Sequence, residues 1–123
     1  MMQMPQPLSH LDRVLLHLKD HRWLAVEPAD IYYLEADGDE TIVRRRGRRV
    51  LRDVRSLGEV IAAIKHCHFH RIHDKWAVNL QRVHEIRRRR VGRDWEVAMR
   101  PPVNRVLPVS TRRLQGLIRR FEG

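Results

Sequence analysis

Phe69-His70-Arg71-Ile72-His73-Asp74-Lys75-Trp76-Ala77-Val78-Asn79-Leu80 sets a basic, histidine-bearing turn directly against an apolar run ending in Val78-Asn79-Leu80. The residues before it follow a helical pattern and those after it an arginine-rich β pattern. The reading of this stretch therefore decides the fold. Phe69 and Ile72 stand on one side of the turn, Trp76 and Val78 on the other. Apolar side chains withdrawn from water pin both ends of such a loop and leave His73, Asp74 and Lys75 pointing outward.

A metal site is the competing reading. His66, Cys67, His68, His70 and His73 put four imidazoles and a thiol within eight residues. Zinc requires ligands that converge tetrahedrally, as a rule from two spaced pairs. These alternate along a helix end leading into a strand, and no second Cys/His cluster closes a site. No metal and no other cofactor is expected. A nucleophilic Cys67 would need a base and an orienting group, and a thiol behind an apolar helix reads more simply as a small core residue. No dinucleotide, Walker or zinc-protease motif occurs. An enzyme is not expected.

Upstream of the turn, Ser56-Leu57-Gly58-Glu59 is a capping box, with the serine accepting from the third amide and the glutamate reaching back. Leu57, Val60, Ile61 and Ile64 recur as one helical stripe, so a short helix is expected from Ser56 to about His66. Thr41–Arg46 and Arg48–Arg52 read as a hairpin around Gly47, and Ile31–Ala36 as a β-branched and aromatic strand ending in an Asp37-Gly38-Asp39 turn. Residues 8–20 fit two templates: a helix through Leu8, Leu11, Leu15 and Leu18, or a strand turning at Lys19–Arg22 into Trp23–Val26.

Downstream, strands are expected at Trp76–Leu80, Val83–Arg90, Asp94–Arg100 and Asn104–Val109. Ser110 then caps a last helix with Leu114, Leu117, Ile118 and Phe121 inside. Gly116 lies within it and costs roughly 1 kcal/mol relative to alanine, so that helix is expected to be short. The two helices are separated by some forty residues of strand pattern, which excludes a helix-turn-helix.

At 123 residues, 42% hydrophobic, the chain supports one modest core domain, expected over residues 12–123 behind a flexible tail at 1–11. No apolar run is long enough to span a membrane and the first residues lack the features of a secretory signal. With a single cysteine, the cytoplasm is the expected compartment. Charge points to the partner. The net charge is +10, and 22 of the 25 basic residues are arginines. Residues 1–40 carry three basic and eight acidic side chains, residues 41–123 twenty-two and seven. Arginine's planar fork suits phosphate and guanine edges. Nucleic acid is the expected partner, and Arg46, Arg48, Arg88 and Arg90, in the arginine runs 44–49 and 87–90, are the expected backbone-contacting cations.

Four segments together resemble the LytTR DNA-binding domain of bacterial transcription regulators. Ile31-Tyr32-Tyr33-Leu34-Glu35-Ala36 is similar to its I-x-Y-I-E-A strand, and Ser56-Leu57 to its helix-opening S-L. Phe69 to Asn79 matches F-x-R-I-H-x-x-x-x-V-N, and Leu107-Pro108-Val109-Ser110 with Arg112-Arg113 looks like L-P-V-S-R-R, with Thr111 intervening. The segments keep the family's order and spacing over roughly residues 12–121. The resemblance implies a mainly β fold: an elongated set of small antiparallel sheets with one short mid-chain helix and one C-terminal helix. It favours the hairpin over residues 12–26. It also implies that loops enter the DNA grooves, through Asp39, Glu40 and Thr41 in the first, His73, Asp74 and Lys75 in the second, and Arg112 with Arg113 in the third. The acidic first loop departs from the family pattern; carboxylates repel phosphate but accept from cytosine N4.

The expectation is thus a sequence-specific regulator of double-stranded DNA, either free-standing or the output domain of a longer response regulator. Two copies are expected on paired repeats, with a separate sensor or inhibitor protein as a further partner and no membrane association. A basic RNA-binding module is the alternative, followed by a protein-interaction domain that docks through its acidic N-terminal third.

Overall fold

A computed structural model describes residues 13–47 and 49–123; the expected tail and Arg48 lie outside the described residues. Ten strands and two α-helices follow in the order β1 (Val14–Leu18), β2 (Arg22–Val26), β3 (Ile31–Asp37), β4 (Glu40–Arg45), β5 (Val50–Asp53), α1 (Leu57–Ala63), β6 (Phe69–Arg71), β7 (Trp76–Asn79), β8 (Val83–Arg88), β9 (Trp95–Met99), β10 (Val106–Val109) and α2 (Thr111–Glu122). They form three antiparallel sheets: β1-β2, β5-β4-β3-β7-β6 and β10-β9-β8. The mainly β architecture of small sheets is as the sequence leads one to expect.

The tie over residues 13–26 falls to the hairpin. Asp20 and His21 both take left-handed backbone angles, a conformation that aspartate and histidine tolerate better than most residues. Val14, Leu16 and Leu18 are buried while Leu15 faces out, which is the two-residue period of a strand.

The five-stranded sheet is buried on both faces. Ile31 and Leu34 of β3 enter one core, shared with α1 and the β1-β2 hairpin; Tyr32 and Tyr33 enter a second, shared with β8–β10 and α2. A register shift against β4 between Ile31 and Tyr33 lets the two neighbouring tyrosines turn the same way. In β7, Trp76 and Val78 face the second core and Ala77 the first. Asn79 is buried but satisfied: its amide donates to the carbonyls of Pro28 (3.0 Å) and Ile31 (2.9 Å), and its oxygen accepts from the Gln81 amide (3.0 Å). It ties β7 to the entrance of β3.

The Ser56 capping box is present, with Ser56 Oγ accepting from Glu59 N at 3.3 Å and Glu59 Oε1 from Ser56 N at 3.2 Å. α1 stops at Ala63, earlier than expected, and a turn carries the chain through His66 to β6. Two expectations for the last helix are corrected. It runs twelve residues despite Gly116, because burial of Leu114 and Leu117 outweighs a cost of roughly 1 kcal/mol. Phe121 is half exposed at its end and belongs to neither core.

Candidate nucleic-acid interface

Strand direction brings three turns to one end of the five-stranded sheet. Glu35 of β3 pairs with Trp76 of β7, so the chain leaving β3 and the chain entering β7 meet at the same edge. The Ala36 amide donates to the Lys75 carbonyl at 2.8 Å, and Lys75 Nζ lies 3.7 Å from Glu35 Oε2. Between β6 and β7 the turn closes through hydrogen bonds from the Ile72 and His73 amides to the Trp76 carbonyl, and from the Trp76 amide back to His73. His73 Nδ1 accepts from the Lys75 amide at 3.1 Å, so this imidazole shapes its own turn.

The start of α2 docks on that turn. Ser110 was expected as a helix cap, yet its side chain makes no capping hydrogen bond. Its amide instead donates to the Ile72 carbonyl at 2.8 Å, with its hydroxyl 3.4 Å from the same oxygen. Asp74 completes the junction. Its carboxylate accepts from Arg112 at 2.7 Å and from Arg113 at 3.3 Å. The Arg112 and then the Arg113 hydrogen bond hold the Asp74 carboxyl below the usual carboxylate range. From beneath, the Arg71 guanidinium donates to the carbonyls of His73 and Asp74. The second and third loops are therefore one unit, and Asp74 is the residue that orients both arginines.

The acidic first turn is partly neutralised. Arg52 on β5 pairs with Asp37 at 2.6 Å and with Glu40 at 3.2 Å. Those two partners raise the arginine's already high pKa, the Asp37 hydrogen bond most. Asp39, beside Gly38 at φ +60°, is the exposed carboxylate of the turn with no ion-pair partner among the described residues. Thr41 requires a correction. It is fully buried, its hydroxyl donating to the Arg55 carbonyl at 2.9 Å, so its side chain belongs to the fold and not to the surface.

The expected backbone-contacting arginines separate. Arg46 lies past the far end of β4, about 20 Å from the turns by strand rise, its amide bonded to the Asp30 carbonyl. Arg88 pairs with Trp95, which pairs with Val109 immediately before Ser110. The β8-β9 arm thus begins about 10 Å from the start of α2, two strand spacings away. Within the arm Glu96 takes Arg87 at 2.7 Å and Arg89 at 3.5 Å. Arg88 and Arg90 have no carboxylate partner among the described residues.

Three contributors were not singled out from the sequence. Arg71 and Arg52 act as described. The Arg105 guanidinium lies 5.6 Å from the centre of the Trp76 ring, as does the Lys75 ammonium, so the turn's tryptophan carries two cations. The histidine cluster disperses: Cys67 is buried, His66 lies against the Arg13 carbonyl, His70 faces α2 and His73 the Lys75 amide. Among the described residues no group of three potential ligands is placed to hold a metal ion. No helix among them is long and apolar enough to cross a membrane.

The small-sheet β domain thus gathers its turns and the exposed Arg112 at one end. The family model of the LytTr DNA-binding domain matches residues 21–122, and the chain belongs to that family. It is a DNA-binding domain of transcription regulation, and the family is not a catalytic one. A similar fold is seen in the LytTr DNA-binding domain of a Bacillus cereus protein described as a methyl-accepting/DNA response regulator. That structure has a TM-score of 0.70 at 21% identity, covering 92% of this chain and 99% of the other. No curated protein matches.

Proposed function

We propose that this domain reads double-stranded DNA by sequence, with turns instead of a recognition helix. The observation that carries the reading is the Asp74 carboxylate, which accepts from both Arg112 and Arg113 and so brings the 73–75 turn and that arginine pair together as one head. A guanidinium presented beside such a turn suits bidentate contact with a guanine edge. Neither helix is a better candidate: α1 has seven residues and packs by Leu57 and Val60, and α2 is buried through Leu114 and Leu117. Arg112 and Lys75 enter grooves, Arg113 and His73 position them or meet a phosphate, and Asp39, Glu40 and Asp74 face bases or stand clear of the backbone. Arg88 and Arg90 supply counterion release on the flank, Arg46 is left for a more distant stretch of backbone, and Arg48 is a further backbone-contacting cation. A single domain of this size buries little DNA, so two copies on paired repeats follow, under a separate sensor or inhibitor protein.

Two expected outcomes bear on these roles. Arg88→Ala should weaken specific and random duplexes alike and reduce the slope of log affinity against log salt by about 1. A titration series in salt reads this directly, and a loss confined to the specific duplex would remove Arg88 from the backbone set. Asp74→Asn should raise affinity for random duplex, because a negative charge is gone, while lowering the specific-to-random ratio, because two arginines lose the carboxylate they share. Competition between a promoter fragment, random duplex and RNA at one salt concentration checks that ratio. Preferential capture by RNA would favour an RNA-binding module instead.

A further inference from the structure

Beside the turn that carries Asp74, α1 and α2 flank β6 and leave a cleft of about 460 Å³ between them. This lies in the size range of small-ligand sites. Five of its lining side chains are basic, namely Lys65, His70, Arg71, Arg113 and Arg120, and no carboxylate lines it. We propose that this cleft binds a small, multiply charged anion of phosphate type.

Three independent features support it. Lys65 and Arg120 have no carboxylate partner among the described residues, so their charge at the cleft is not cancelled by an ion pair. Arg113 spends one terminal nitrogen on Asp74, but its Nε is buried without a hydrogen-bond partner, an arrangement that costs free energy unless something accepts from it. One glycine inside a helix, Gly116 of α2, also lines the cleft. Gly116 faces the His70 ring and Gly58 faces Arg71, and neither has a positive φ that would require glycine. A Cβ at either position would sit 3.7–3.8 Å from those side chains, so alanine would fit. A side chain larger than alanine at Gly116 would occupy the space over β6.

His70 reports on the charge of the site. Burial, and then the Arg120 and Arg113 guanidiniums, lower its pKa, with Lys65 and Arg71 lining the same cleft. A bound anion reverses the sign of that field and favours the imidazolium. Arg113 belongs to both the cleft and the Asp74 junction, so occupancy also couples to the DNA-facing head. That coupling rests on the DNA reading above; the anion binding itself does not, and is measured without DNA.

The test is a titration of the DNA-free domain with inorganic pyrophosphate, and with sodium chloride at matched ionic strength, followed by NMR of the His70 ring and the cleft amides. Saturable shifts with pyrophosphate alone are expected, together with a raised His70 pKa. The double variant Lys65→Gln/Arg120→Gln should bind pyrophosphate at least tenfold more weakly. Gly116→Leu removes no charge and fills the cleft, and should abolish the shifts in a domain that still unfolds cooperatively. Shifts reproduced by chloride, or undiminished in both variants, would overturn the site. So would a double variant that keeps its pyrophosphate affinity but loses random-duplex affinity with a shallower salt slope, since the cleft would then be a surface for DNA backbone.

Discussion

Asp53→Ala is expected to cost about 3–5 kcal/mol of folding stability, the range for removing one partner of a buried ion pair. The Asp53 side chain is fully buried at the end of β5 and pairs with Arg55 at 2.8 Å. Its two oxygens also accept from the His17 amide at 2.8 Å and the Arg55 amide at 2.9 Å. The β1-β2 hairpin is therefore joined to the five-stranded sheet through this carboxylate, along with the hydrogen bond from the Val54 amide to the His17 carbonyl. Alanine leaves two amides and a guanidinium without their acceptor. Urea unfolding monitored by circular dichroism measures the loss; a cost below 1 kcal/mol would mean that water replaces the carboxylate without penalty.

The same residue sets a pH dependence. Burial pushes the Asp53 carboxyl up, but hydrogen bonds from the Arg55 side chain and from the Arg55 and His17 amides outweigh it, and the net shift is downward. A folded-state pKa below the unfolded value, about 3.9, makes a contribution that is complete above that value. It is lost as pH falls through the lower folded-state pKa. Wild-type stability should accordingly drop below about pH 4, and the drop should be shallower in Asp53→Ala. Equal slopes in the two proteins would assign the acid sensitivity elsewhere.

Arg112→Ala carries the largest expected effect on DNA recognition. The side chain is 69% exposed and its ion-pair partner Asp74 is 73% exposed, so fold stability should be unchanged. Specific affinity should fall by about 1–3 kcal/mol, roughly 5- to 150-fold, while affinity for random duplex falls far less. Arg112→Lys should recover little of the loss, because an ammonium cannot make the paired contact of a guanidinium. Fluorescence anisotropy with one specific and one scrambled duplex separates the two terms. An equal loss on both duplexes would reduce Arg112 to a phosphate contact.

Features written in local pattern were legible from the sequence, and features made by long-range packing were not. The Ser56 capping box and the alternation of Trp76, Ala77 and Val78 depend on neighbours a few residues away, and both read true. The segment around Leu15 fitted two periods equally, and only family spacing separated them. Ser110 has the residue type of a helix cap, but the nearby Ile72 carbonyl takes its hydroxyl, a partner 38 positions back in the chain. Thr41 was placed in the first loop by the family resemblance; the hydrogen bond of its hydroxyl to the Arg55 carbonyl, 14 positions on, holds it inside. Asp74 is a carboxylate in a turn expected to face DNA. Its meaning lies in Arg112 and Arg113, 38 and 39 positions away, which no local pattern joins to it. The arginine runs were conspicuous, but only the sheet registers show that Arg88 begins near the head and Arg46 lies far from it.

Selection of binding sites from a random duplex pool, run in parallel with the wild-type domain and Arg112→Ala, tests the head most directly. The wild type should enrich a defined motif, arranged as two short repeats, and the variant the same motif with one position relaxed. Failure of the wild type to enrich any motif, or an identical motif from both proteins, would contradict sequence reading by the turns that meet at Asp74.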